Sequence, residues 1–157
     1  MNNTPSAAEK QAAHDLQRPS NSQSGAKTFK VGERLLHEII ADLSKPLKAE
    51  HLKQKQVGKG QGSRSVPYLP WHTAIKYLDY FAPGWCYEIR SITHVGANCA
   101  VVVRISIPTA DGIVYREATG LEEDEVDSWG DPTSNAESMA LRRAAAKFGL
   151  GLYLYNR

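Results

Sequence analysis

The sequence predicts an α+β domain in which an antiparallel three-stranded β-meander is packed by a long C-terminal helix. This β-β-β-α core is preceded by N-terminal helices. Three segments rich in β-branched and aromatic residues, 85–92, 99–107 and 113–119, are separated by short turns that contain glycine. In the middle segment the apolar residues Val101, Val103, Ile105 and Ile107 alternate with less apolar ones, so one face of the sheet needs a cover. A run of strong helix formers, residues 136–148, supplies it.

The remaining chain divides into a tail and two further helices. Residues 1–28 are polar and lack aromatic side chains, which predicts a disordered tail, and residues 29–157 form one domain. Residues 31–43 carry apolar side chains at helical spacing and stop before Pro46. Residues 71–81 predict a second helix that is closed by Pro83 and Gly84.

The C-terminal helix has a recognisable start and a buried side. Ser134 and Glu137 have the spacing of a capping box, and Gly149 ends the helix. Successive residues lie 100° apart, which places one apolar row against the sheet. This row comprises Leu141, Ala144, Ala145 and Phe148, with Leu152 extending it if the helix continues.

Charge is distributed unevenly along the chain, whose net charge is only +2. Setting aside the six acidic residues between Gly120 and Asp131 leaves 11 acids against 19 Lys and Arg, so the rest of the chain is about +8. These six are Glu122, Glu123, Asp124, Glu125, Asp127 and Asp131. The basic remainder indicates a polyanionic partner.

Three cations, Arg142, Arg143 and Lys147, fall on the arc of the C-terminal helix opposite its apolar row. They lack the acids at i,i+4 spacing that usually accompany a solvated face. Small neighbours on this arc would let a sugar-phosphate backbone come close. These neighbours are Ala136, Met139, Ala140 and Ala146. A merely solvated helix face is the alternative.

A second basic segment, residues 45–64, predicts a flexible loop or hairpin. Its cations could contact a phosphate backbone or could simply be solvated. The candidates for DNA binding here are Lys53, Lys55, Lys59 and Arg64. The glycines at 58, 60 and 62 do not match a nucleotide-binding P-loop. Arg104, with Arg90 and Arg116 on the other strands, could extend the basic surface or could pair with Glu88 and Glu117.

Other reactive or aromatic residues favour structural roles. Most aromatics between Tyr68 and Tyr87, including Trp71, are expected in the core or in a subunit contact rather than as a platform for stacked bases. Cys86 and Cys99 are expected to be buried thiols, and His51 and His72 to be hydrogen-bonded structural residues. Nothing in the sequence matches a secretory signal or a membrane span, so we expect a soluble intracellular protein, cytoplasmic and nucleoid-associated if the host is a bacterium or a phage.

Two segments carry a family resemblance. Residues 136–155, AESMALRRAAAKFGLGLYLY, resemble the C-terminal helix of the Rad52 and DdrA single-strand annealing proteins. The stretch from Tyr68 through His72 to Gly84-Trp85 is similar to the same family's Tyr-x-x-x-His helix, which ends in Gly-Trp.

The resemblance implies ATP-independent annealing of complementary strands in DNA repair and homologous recombination, without catalytic residue, metal or cofactor. It implies an oligomeric ring with a basic groove that holds single-stranded DNA with its bases turned outwards. Arg142 and Arg143 match the basic pair in the groove floor, and Lys53 and Lys55 fall near another basic position. Ala146 stands where some relatives have Arg. A recombinase or a single-strand-binding protein is a possible partner.

Two other functions fit parts of the pattern. The order helix, three strands, helix is also that of double-stranded RNA-binding modules, which read duplex shape. A metal-dependent nuclease would need the acidic run to hold Mg²⁺, although consecutive acids such as those from Glu122 to Glu125 more often form a solvated loop.

Overall fold

A computed structural model describes residues 27–58, 60–123 and 131–156. Except for Lys27 and Thr28, the predicted tail lies outside the described residues, as do Lys59 and the acidic residues Asp124, Glu125 and Asp127. The helices are α1 (Leu36–Leu43), α2 (Trp71–Phe81) and α3 (Pro132–Ala146), and the strands are β1 (Lys53–Val57), β2 (Arg64–Tyr68), β3 (Cys86–Val95), β4 (Asn98–Thr109) and β5 (Gly112–Glu123). Short 3₁₀ turns occur at Ala49–His51, Gly60–Gly62 and Leu152–Tyr155.

The predicted meander is confirmed. Strands β3, β4 and β5 pair antiparallel in that order, and the turns between them use Gly96 and Gly112 at positive φ. The strands are longer than predicted, because pairing continues to Asn98 opposite Glu123. Glu122 and Glu123 therefore belong to the end of β5 and not to a loop.

The helical cover lies over β4 and β5 as predicted. Val101, Val103, Ile105 and Ile107 have no exposed surface, while Arg104 and Ser106 between them are partly exposed. The predicted helix row is buried against this face: Leu141, Ala144, Ala145 and Phe148. Leu152 does not extend the row, because α3 ends at Ala146 and the side chain of Leu152 is exposed in the final turn.

The start of α3 differs from the prediction. Asp131 is the N-cap, and its carboxylate accepts hydrogen bonds from the backbone N–H of Ser134 at 2.8 Å and from the Ser134 hydroxyl at 2.7 Å. Pro132 fits the first helical position because it has no N–H to leave unpaired. The predicted capping box of Ser134 and Glu137 is therefore wrong, and Glu137 instead accepts a hydrogen bond from the Tyr87 hydroxyl at 3.0 Å.

Small residues let α3 lie unusually close to β5. An added Cβ at Gly120 would stand 1.8 Å from the backbone oxygen of Ala136, and Ala136 and Ala140 are fully buried. Ala146 is also buried. The prediction that Ala136 and Ala140 leave room for a sugar-phosphate backbone is therefore wrong, because they form the contact between the helix and β5 inside the protein. Ala146 differs in that it lines a surface cavity.

The N-terminal segment begins its helix later than predicted. Gly32 adopts a positive φ of 72°, which turns the chain, and α1 starts only at Leu36. Arg34 then joins α1 to α2, since its guanidinium donates to the backbone oxygen of Phe81 at 2.8 Å and also bonds Asp42. The second helix has the predicted bounds.

We expect Gly120→Ala to lower the free energy of unfolding by about 3 kcal/mol, because the methyl group meets backbone atoms that can move only with the whole helix. Gly62→Ala is the matched control, since nothing lies within 4 Å of its added Cβ and Gly62 is not at positive φ. Its effect should stay within about 0.5 kcal/mol. Urea denaturation measures both, and equal midpoints for the two variants would contradict the close approach of α3 and β5.

Candidate nucleic-acid interface

The hairpin of β1 and β2 carries its charges on one face. Lys53 pairs with Tyr68, Lys55 with Val66, and Val57 with Arg64. Because side chains alternate along a strand and paired residues share a face, these six side chains point the same way. The other face has uncharged residues only: Gln54, Gln56, Ser65 and Pro67.

The charged hairpin face looks onto α3 across two adjoining cavities, and a third cavity continues along α3 beside β5. Together we call these three cavities the α3 groove. The first cavity, of about 500 Å³, is lined by Lys53 and Lys55 together with the beginning of α3. The second, of about 400 Å³, shares Tyr68, Met139 and Arg142 with it. The third, of about 300 Å³, shares Arg143 and Tyr155 with the second and reaches Lys147. From Asn135 to Lys147 the groove follows about 18 Å of helix.

Arg142 lies at the centre of the α3 groove. Its Nε donates to the backbone oxygen of Ser138 at 3.1 Å, and its guanidinium carbon lies 5.2 Å from the centre of the Tyr68 ring. Burial lowers the pKa of Arg142 below its usual value, and the nearby charge of Arg143 acts in the same direction. A cation held in this way is partly stripped of water and gains from an anionic ligand.

Arg143 and Lys147 follow along the same helix and lean towards β5. Arg143 donates to the backbone oxygen of Thr119 at 2.9 Å, and the Lys147 ammonium group donates to that of Glu117 at 2.5 Å. Both side chains are exposed. A neutral carbonyl fixes the position of each cation and leaves its charge uncompensated.

Among the described residues, none of the cations lining the groove forms a salt bridge. These are Lys53, Lys55, Arg64, Arg142, Arg143 and Lys147. Six of the eight predicted DNA-binding residues thus line one groove. Of the other two, Lys59 lies outside the described residues and Arg104 lies elsewhere.

Arg104 occupies the opposite face of the sheet. It alternates with the buried Val103 and Ile105, and its guanidinium binds the Glu117 carboxylate at 2.7 Å. That hydrogen bond raises the pKa of Arg104. Arg90 and Glu88 complete this ion-pair network. Of the two alternatives for the strand arginines, pairing holds for Arg90 and Arg104.

Arg116 takes neither of the two roles expected from the sequence, which were to extend the basic surface or to pair with Glu88 and Glu117 among the described residues. It lies on the helix side of the sheet, donates to the backbone oxygen of Lys147 and stands 5.1 Å from the Phe148 ring centre. It therefore closes the last turn of α3 against β5. This role stabilises the end of the helix from which Lys147 extends.

The cysteines and histidines that were expected to have structural roles meet that expectation unevenly. His51 shares a 2.7 Å hydrogen bond with the Tyr77 hydroxyl, as expected of a structural histidine, and Cys99 is buried. Cys86 is exposed at the start of the edge strand β3, so its predicted burial is wrong. His72 is exposed and packs edge-to-face on Trp71.

The groove is also lined by aromatic and sulfur-containing side chains that were not among the predicted DNA-binding residues, including Tyr68, Trp71, Met139 and Tyr155. The signal for Tyr68 was present, because the alternation Lys-Gln-Lys-Gln in β1 marks a strand with one charged face, and a hairpin register places Tyr68 on it. Met139 and Tyr155 become groove residues only because the fold places the hairpin opposite α3, which no local pattern specifies.

Within the part of the chain that the structure describes, no three His, Cys, Asp or Glu side chains are grouped as metal ligands would be. Several residues of the acidic run lie outside this part. No helix in the described ranges is both long and apolar enough to cross a membrane.

Comparison with known proteins adds a family and two relatives. A family model described as Rad52/22 family double-strand break repair protein matches residues 36–157. "DNA repair RAD52-like protein 2, chloroplastic" from Arabidopsis thaliana is 39% identical over 124 residues, covering 78% of this chain and 62% of the relative. "DNA repair RAD52-like protein 1, mitochondrial" from the same plant is 34% identical over 125 residues, covering 78% and 69%. The chain thus spans less than two thirds of the first relative.

Proposed function

This chain belongs to the Rad52/22 family of double-strand break repair proteins, and on that premise we propose that it binds single-stranded DNA in the α3 groove and promotes annealing of complementary strands. The observation that carries the proposal is the convergence on one groove of six cations, from the hairpin and from α3, none of which forms a salt bridge with a described residue. The family predicted from residues 136–155 is confirmed.

Charge and shape explain why a single strand suits this groove. Cations along both walls replace the counterions of a phosphate backbone, which gives affinity without sequence preference. Tyr68 and Tyr155 supply aromatic surface between the cations, and unpaired bases can use such surface whereas paired bases cannot. A strand extended over several nucleotides along a rigid helix offers its bases to a complementary strand.

Annealing in this scheme needs no catalytic residue and no cofactor. Forming base pairs is itself favourable, so the protein has only to neutralise the repulsion between two strands and keep the bound strand extended. Fixed hydrogen bonds from Arg142 and Arg143 to backbone carbonyls prepare the groove before DNA arrives. Little conformational entropy is then lost on binding.

We further propose that copies of this chain assemble side by side into a ring. Large apolar side chains remain exposed on both edge strands, including Ile89 and Ile92 on β3 and Ile113 and Leu121 on β5. Different strands form the two edges, so contact of β3 in one copy with β5 in the next is head-to-tail and can close into a ring. Such a ring would join the α3 grooves end to end.

Family membership favours DNA repair over a double-stranded RNA-binding module. A recombinase or single-strand-binding protein as partner follows from the family resemblance alone.

Replacing both groove arginines, Arg142→Gln with Arg143→Gln, should weaken binding of single-stranded DNA at least about tenfold, because two charged contacts to phosphate are lost. Annealing of dye-labelled complementary oligonucleotides should slow in parallel. The matched control is Arg90→Gln with Arg104→Gln, which removes the same charge from the opposite face of the sheet. If the control lost as much binding as the groove variant, the DNA site would not be the α3 groove.

The hairpin lysines should act mainly through counterion release. For Lys53→Gln with Lys55→Gln, the slope of log K against log salt should become shallower by about 1.4, since each phosphate contact to a single strand contributes about 0.7. The control is the same substitution at Lys45 and Lys48, which form salt bridges with Asp42 and Glu50 away from the groove. Fluorescence anisotropy at several salt concentrations measures the slope. An unchanged slope for the Lys53 and Lys55 variant would show that the hairpin does not contact the DNA.

A further inference from the structure

We infer that Trp71 is a stacking platform for one nucleobase at the end of the α3 groove where the hairpin meets α2. The inference rests on the proposed function, because it needs a single strand in the groove, and it assigns to that strand a specific contact. The sequence favoured a core or subunit role for this tryptophan. The structure instead leaves it 48% exposed beside the basic wall of the groove.

Trp71 is held rigidly in spite of its exposure. It is the first residue of α2 and directly follows Pro70, whose ring restricts the backbone. One and two turns further, Ala74 and Leu78 are fully buried and anchor the helix in the core. The His72 ring packs edge-to-face on the indole, with the ring centres 5.8 Å apart. A fixed aromatic ring loses little entropy when a base stacks on it.

The cavity beside the indole has the composition of a nucleotide site. Lys53, Lys55 and Arg142 line it on the side of the hairpin and the groove centre, where they can contact phosphates. Asn135 and Ser138 line it from α3 and offer donors and acceptors of the kind that base edges use. Its volume of about 500 Å³ falls in the range of pockets that hold small organic ligands.

Charge within this cavity sets the orientation of a bound nucleotide. Glu122, at the end of β5, lines the same cavity as the three cations. Its carboxylate repels a phosphate. The phosphate therefore stays with Lys53 and Lys55, and the base enters the cavity against Trp71. An indole offers a face on which any base can stack, so this contact keeps the binding independent of sequence.

The test compares Trp71→Leu with Trp71→Phe, using a thymidine oligonucleotide and an abasic strand that has the same number of phosphates. In the unaltered protein the thymidine strand should bind more tightly than the abasic strand, because only it can stack. Leucine should reduce that preference about tenfold and leave the salt dependence unchanged. Phenylalanine keeps an aromatic ring and should retain most of the preference. Thermal denaturation checks that both variants fold.

The outcomes separate this inference from the function on which it rests. If neither oligonucleotide binds the unaltered protein, the proposed function fails. If both bind and Trp71→Leu leaves the preference for the thymidine strand unchanged, Trp71 is not a stacking platform, although the groove still binds DNA. The inference is likewise overturned if Trp71→Leu changes only the native mass of the assembly, because the indole would then be a contact between subunits.

Discussion

The architecture depends on the close contact between α3 and β5. Gly120 lacks the side chain that would separate them, and Ala136 and Ala140 present only methyl groups to the sheet. This approach brings the last turns of α3 within reach of the β5 carbonyls, which orient Arg143 and Lys147. The helix is thus both the cover of the core and the floor of the groove, so stability and ligand binding share one element.

The second constraint is the separation of charge between the two faces of the sheet. On the outer face Arg90 and Arg104 are neutralised by Glu88 and Glu117, and such pairs add little to stability when partly solvated. On the helix side Arg142, Arg143 and Lys147 donate to backbone carbonyls, and none of the groove cations forms a salt bridge within the described part of the chain. A net charge of +2 therefore conceals a localised field that can attract a polyanion. Alternation along each strand decides on which face a given charge lies.

The sequence predicted what depends on periodicity and missed what depends on tertiary contacts. The two-residue period identified the buried face of β4, and Pro83 with Gly84 marked the end of α2. The first turn of α3 was wrong because Asp131 and Ser134 both suit a cap, and only the path of the chain decides between them. Ala136 and Ala140 were predicted on the exposed side of α3 but are buried. Helical spacing gives the direction of each side chain around the axis, but it does not tell how wide the buried side of the helix is. The sequence singled out the cations by residue type, but that six of them line one groove follows from the placement of the hairpin beside α3.

The proposed function requires that a DNA strand lie between the hairpin and α3. Mass-spectrometric footprinting of lysines with an amine-reactive reagent, with and without a thymidine oligonucleotide, tests it without any substitution. Lys53 and Lys55 should become protected, whereas Lys30 and Lys76, exposed on other elements, should react as before. Equal protection of all four lysines, or protection of Lys30 and Lys76 alone, would contradict the claim.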